Sequence, residues 1–159
     1  MWITWSLSPD GPEGARPSSK NHHATTLRCG FVSRPQVLIA EDDRVVSLLI
    51  ARSLEGLGAQ STTVYDGLEA FELGLTTDFD LVLLDQVMPG LLGVEVLQRW
   101  IDDGKTMPVI MVSALTAEED IVRCLELGAV DFIRKPFSVR ELLARVKVHL
   151  RAQGFEIEI

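Results

Sequence analysis

The sequence predicts a doubly wound α/β domain, an open sheet of five parallel strands with helices on both faces. Three observations carry this reading. Apolar runs such as Val37-Leu38-Ile39-Ala40 and Leu81-Val82-Leu83-Leu84 are rich enough in Leu, Ile and Val to be strands buried on both sides. Segments with apolar residues at helical spacing alternate with these runs. Both runs end abruptly in acid, at Glu41-Asp42-Asp43 and at Asp85. Ligands of open α/β sheets bind at the carboxyl ends of the strands, so these acids are candidate site residues.

Taken in order, residues 1–34 show no period of 2 or 3.6 and are expected to be a disordered or loosely attached segment. His22, His23 and Cys29 within it match no zinc pattern well and lack a fourth ligand. The domain is expected over 35–152, with 153–159 a tail or the start of a linker. A first strand over 36–40 leads to a helix over 43–57, whose stripe is Val46, Leu49, Ile50, Leu54 and Leu57 and which Gly58 ends. A β-branched strand over 61–64 and Asp66-Gly67 precede a helix through Ala70, Phe71 and Leu73. The third strand ends at Asp85, followed by the turn signal Met88-Pro89-Gly90. A helix over 94–101 is expected to bury Val94, Leu97 and Ile101. A fourth strand over 107–112, with Pro108 near its start, ends at Ser113-Ala114. Thr116-Ala117-Glu118-Glu119 has the form of a capping box opening a helix that Gly128 ends, and Ser138-Val139-Arg140-Glu141 has the same form. Between these boxes lies a fifth strand over 130–133, then Lys135-Pro136. The last helix carries Val139, Leu142, Leu143, Val146 and Leu150 inward. Strand order 2-1-3-4-5, the flavodoxin-like arrangement, is the common solution for five strands and five helices.

The formal charge of −8 excludes general nucleic-acid binding by this domain, which needs clustered Lys and Arg. Residues 1–35 carry +2, so the predicted domain is more acidic still. Two cysteines are no disulfide framework, which fits a reducing, cytoplasmic setting. No apolar stretch approaches the ~20 residues that span a bilayer, so neither anchor nor leader is expected.

The 2-1-3-4-5 order brings Glu41, Asp42, Asp85, Ser113 and Lys135 to one sheet edge. Carboxylates crowded there repel, and a hard divalent cation such as Mg²⁺ is the economical remedy. A carboxylate nucleophile that accepts a phosphoryl group needs that neutralisation more than it needs proton transfer. Asp42 and Asp85 are the expected ligands, with the Val87 backbone carbonyl a further oxygen and Glu41 outside them or bound through water. Lys135 would pair with Asp85 at rest and with phosphate afterwards, and Ser113 would donate to the phosphoryl group. A haloacid-dehalogenase-type phosphatase would want a second Asp where Val87 stands. A flavin binder would want a phosphate cradle where the acidic triplet stands.

These residues, Val37 to Asp43, Asp80 to Asp85 with Met88-Pro89-Gly90, Ser113-Ala114, Gly128-Ala129 and Lys135-Pro136-Phe137, resemble the response-regulator receiver domain of two-component signalling over 36–152. The resemblance implies that Asp85 accepts phosphate from a histidine kinase or histidine phosphotransfer protein, with Mg²⁺ required and the peptide before Pro136 cis. It implies a signalling domain rather than an enzyme, with Ser113 and Phe132 as switch residues and a homodimer through the fourth helix, fifth strand and fifth helix. Arg140, Arg145, Lys147 and Arg151 with Glu126 and Asp131 resemble that surface incompletely. The chain departs from the family at Leu92, where Asp is common, and at Phe132, where Tyr is common. By the same resemblance Val87 and Leu115 occupy the positions that flank the attacking water, so slow self-dephosphorylation is expected. A phosphorylation-independent interaction module is the alternative.

Overall fold

The computed structural model describes residues 33–157. Its elements are β1 (Gln36–Ala40), α1 (Arg44–Glu55), β2 (Gln60–Val64), α2 (Gly67–Thr76), β3 (Leu81–Leu84), α3 (Gly93–Asp102), β4 (Val109–Ser113), α4 (Glu118–Leu127), β5 (Asp131–Arg134) and α5 (Val139–Ala152). The strands form one parallel sheet in the order β2-β1-β3-β4-β5, the flavodoxin-like arrangement. The expectation for residues 1–34 falls almost wholly outside the described residues, as do His22, His23 and Cys29.

Every residue of β3 is buried, because helices cover both faces of the central strand. Alternate strand residues divide the core in two. Leu38, Val82, Leu84 and Met111 meet Val96, Leu97 and Trp100 on one side. Val37, Ile39, Leu83 and Ile110 meet Ile50, Leu54, Leu142 and Val146 on the other. Trp100 is 2% exposed, and its indole N–H donates to the Phe71 carbonyl at 3.1 Å, so its burial leaves no unmet donor.

Helix ends follow local chemistry, with exceptions. Asp43 is the N-cap of α1, not its first residue, and accepts from the Val45 and Val46 amides. The helix stops at Glu55; the Ala59 amide then reaches back to the Leu54 carbonyl while Gly58 takes φ +76°. Leu49 is 47% exposed, and Ser47 occupies the buried stripe in its stead. In α3 the outward residue is Ile101, with Val96 and Trp100 buried beside Val94 and Leu97. Thr116 caps nothing: α4 begins one residue later than the box requires, with Ala117 as N-cap, and the acidic first turn of Glu118, Glu119 and Asp120 complements the helix dipole. Ser138 does accept from the Glu141 amide at 3.1 Å, but the Glu141 carboxylate turns to Arg145. β4 starts at Val109, since Pro108 has no amide to donate and contributes its carbonyl to the Val82 amide. β5 runs one residue later than expected, and β2 begins one residue earlier.

After α5 the chain turns at Gly154, and Phe155 and Ile157 pack against the α1/α5 side of the core. Arg151 donates twice to the Ile157 carbonyl. Asp131 on β5 holds α5 through Arg145 at 3.0 Å and His149 at 3.1 Å. No helix among the described residues is long and apolar enough to cross a membrane.

Two outcomes follow from this packing. A Cβ on Gly74 would lie 2.5 Å from the Trp100 ring. Gly74→Val should destabilise the domain by about 2 kcal/mol, since overpacking outweighs the few tenths gained in helix preference; an unchanged urea midpoint would refute the packing argument. The Asp131 carboxyl is pulled up by burial but brought below its ordinary value by hydrogen bonds from His149, the Phe132 amide and Arg145. A depressed acid contributes stability above its unfolded pKa, near 3.9, and loses it as pH falls through the folded value. Asp131→Asn should therefore unfold at lower urea at pH 7, by about 1 kcal/mol with the half-exposed Arg145 screened, and the gap should close below about pH 4.

Candidate functional site

The parallel register builds the site. Ala40 lies opposite Leu84, so the next residues, Glu41 and Asp85, leave adjacent strands side by side. Their backbones stay in the ladder: the Asp85 amide donates to the Ala40 carbonyl at 2.9 Å and the Glu41 amide to the Val64 carbonyl at 3.1 Å. Ser113 ends β4 opposite Arg134, and the Lys135 amide donates to the Ser113 carbonyl at 2.8 Å. Lys135 thus enters from the far strand, and the peptide linking it to Pro136 is cis.

The Lys135 ammonium lies 2.6 Å from Glu41 Oε2 and 2.9 Å from Asp85 Oδ2. Asp85 was expected as its partner; the shorter bond to Glu41 was not anticipated. Glu41 is 2% exposed, and its other oxygen accepts from the Asp43 amide at 3.0 Å. Burial raises the Glu41 pKa above its ordinary value, outweighing the Lys135 hydrogen bond that opposes the rise. Burial by itself would lower the Lys135 pKa, but the hydrogen bonds to Glu41 and Asp85 carry it above its ordinary value. The ammonium therefore stays charged.

Asp42 is exposed, and its carboxylate joins those of Glu41 and Asp85 with one oxygen from each within 4.8 Å of the others. At that separation each like-charged pair repels by about 3 to 4 kcal/mol at an effective dielectric of about 20. One lysine opposes three acids. The donor set is all oxygen, incompletely neutralised and open to solvent on the Asp42 side, which fits a hard divalent cation.

Ser113 is fully buried, and its hydroxyl oxygen accepts from the Leu115 amide at 3.2 Å. Phe132 is buried in the core beneath α4, 9% exposed. Val87 is 60% exposed beside Asp85, with its amide 3.4 Å from Asp85 Oδ1, while Leu115 is half-buried. Leu92 is the N-cap of α3 and supplies no side-chain acceptor; Gln86 supplies one from the loop, at 2.8 Å from the Val94 amide. Sequence reasoning passed over Gln86, although a polar residue directly after Asp85, ahead of apolar Val87 and Met88, was a signal.

Known proteins resemble this chain in sequence and in fold. The chain is 35% identical over 127 residues to the uncharacterized transcriptional regulatory protein YkoG of Bacillus subtilis (strain 168), covering 80% of this chain and 56% of that protein, so it spans little more than half its relative's length. The receiver domain of the Francisella response regulator 1452 is 34% identical with a TM-score of 0.72, over 76% of this chain and 99% of that one. The BeF3-activated N-terminal receiver domain of Klebsiella pneumoniae RstA is 31% identical with a TM-score of 0.68, over 73% and 98%. Residues 37–147 match the response regulator receiver domain, and the chain belongs to that family.

Proposed function

We propose that the domain, over 35–152, receives a phosphoryl group on Asp85 from a phosphohistidine donor, a histidine kinase or phosphotransfer protein, in a Mg²⁺-dependent reaction. The observation that carries this is the meeting of Glu41, Asp42 and Asp85 with, among the described residues, only the Lys135 ammonium to offset them. Asp42, Asp85 and the Val87 carbonyl would hold the cation, with Glu41 fixed beside them by Lys135. When bound, Mg²⁺ offsets the repulsion between an anionic phosphate and an anionic nucleophile.

Asp85 Oδ2 is engaged by Lys135, whereas Oδ1 has only the long contact to the Val87 amide. Oδ1 is the oxygen left to attack: an O–P bond forms, the P–N bond to the donor imidazole breaks, and its electron pair returns to the ring nitrogen, which solvent protonates. The Ser113 hydroxyl already accepts from Leu115, and its own proton serves a phosphoryl oxygen. Lys135 moves from carboxylate to phosphate as a mobile point charge. Ser113 and Lys135 are joined through the backbone, so both ends of β4 and β5 respond together, and Phe132 beneath α4 repacks with them. The α4-β5-α5 surface would then change for partner binding or dimerisation, although Arg145 and Asp131 are at present paired with each other within the chain. The step modifies the protein itself, so the proposed role is signalling, and the sparse cysteines favour a reducing, cytoplasmic setting for it.

The chain incubated with labelled acetyl phosphate and Mg²⁺ should take up label that Asp85→Asn and chelation both abolish. Label retained in Asp85→Asn would move the acceptor elsewhere, and none in the wild type would favour phosphorylation-independent binding. Exposed Val87 and half-buried Leu115 offer an attacking water no hydrogen bond, so the acyl phosphate should decay slowly. Leu115→Glu should hasten that decay about tenfold or more by orienting the water. Identical decay curves for the two proteins would reject this account.

A further inference from the structure

We propose that Gln86 is a positioning residue for the phosphoacceptor, clasping the Asp85–Val87 segment to the first turn of α3. The inference rests on the receiver reading and assigns a role to a residue that reading does not use. The first amides of a helix have no partner within it, and Leu92 at the N-cap has no side-chain acceptor to offer. Gln86 meets two of them. Its side-chain oxygen accepts from the Val94 amide at 2.8 Å, and its carbonyl accepts from the Gly93 amide at 2.9 Å. The Val94 donor is a backbone N–H, so the side-chain amide oxygen must be the atom facing the helix. The contact is buried, with Gln86 8% exposed.

The same helix start presses on Asp85 itself, since a Cβ at Gly93 would collide with the Asp85 carbonyl. On the other side the loop is held at Pro89, whose carbonyl accepts from the Gly67 amide at 2.8 Å. Between these grips lies Val87, which contributes its amide to Asp85 Oδ1 and its carbonyl to the proposed cation site. Releasing Gln86 from α3 frees the peptide that sets both. A helix cap alone would not need this residue: an acceptor at position 92 would serve the Val94 amide from next door. Capping through Gln86 ties the helix to the active carboxylate.

That difference separates the two roles. Mg²⁺ alone, titrated calorimetrically into the full chain, should bind about tenfold more weakly to Gln86→Leu, which should also melt at lower temperature. Leu92→Asp in the Gln86→Leu background should restore the melting temperature by capping α3 locally, yet leave Mg²⁺ affinity low when read against Leu92→Asp alone. Should Gln86→Leu not fold, the double variant carries the comparison. Mg²⁺ affinity that is unchanged in Gln86→Leu, or regained in the double variant, would reduce Gln86 to a cap and overturn the proposal. Failure of the wild-type chain to bind Mg²⁺ would overturn the proposed Mg²⁺-dependent phosphoryl acceptance, and this inference with it.

Discussion

A single ammonium group holds the carboxyl end of this sheet together. Lys135, delivered by β5, reaches across β4 to the acids that end β1 and β3, at 2.6 and 2.9 Å. Burying carboxylates without a counter-charge is expensive, and two neighbouring ones add their mutual repulsion. Glu41 and Asp85 are 2% and 6% exposed, so each needs what Lys135 offers. Among the described residues no cationic side chain pairs with Asp42, and that residual charge is what a divalent ion would suit. Structural neutralisation and chemical readiness are one arrangement here.

The backbone fixes much of this before any side chain is placed. Parallel register sets Glu41 beside Asp85 because Ala40 pairs with Leu84. Apolar runs that stop at acids are visible in a linear sequence, so the meeting of Glu41, Asp42, Asp85 and Lys135 was legible there. The bond from Lys135 to Glu41 beside the one to Asp85 was not, because it depends on where the ammonium comes to rest between two adjacent strand ends. Helix stripes show the same division. Their period is written in the sequence, but their phase depends on which neighbour covers the helix, so Leu49 and Ile101 face outward where Ser47 and Trp100 face in. Thr116 misled for a related reason: a capping box needs its hydroxyl at the N-cap, and the chain leaving Ser113 enters α4 one residue later.

Leu92 and Gln86 show how a local rule can be broken and compensated at a distance. Read alone, Leu92 deprives α3 of an N-cap, which ordinarily costs about 1 kcal/mol. The acceptor comes from six residues earlier, so no short motif would record it. The Leu92 amide is answered by Glu95 at 2.8 Å, the half of a capping box that needs no side chain at the N-cap, so only the Gly93 and Val94 amides rely on Gln86.

The helices flanking the site are unequally anchored, which decides where a chemical change can go. α3 buries Gly93, Val94, Val96, Leu97 and Trp100 and is fastened to Gln86, whereas α4 buries only Cys124 and starts without a side-chain cap. Elements with few buried contacts move at the least free-energy cost. A pull on Ser113 and Lys135 acts on the strand ends that lead into α4 and α5. α5 is secured by Leu142, Val146 and Leu150 and by the Asp131 pairs, leaving α4 with the fewest buried residues of the three. If Asp85 takes a phosphoryl group as proposed, the well-anchored α3 side would keep it in place while the α4 side would carry the change to the surface. Both would follow from how much apolar surface each helix gives to the same sheet.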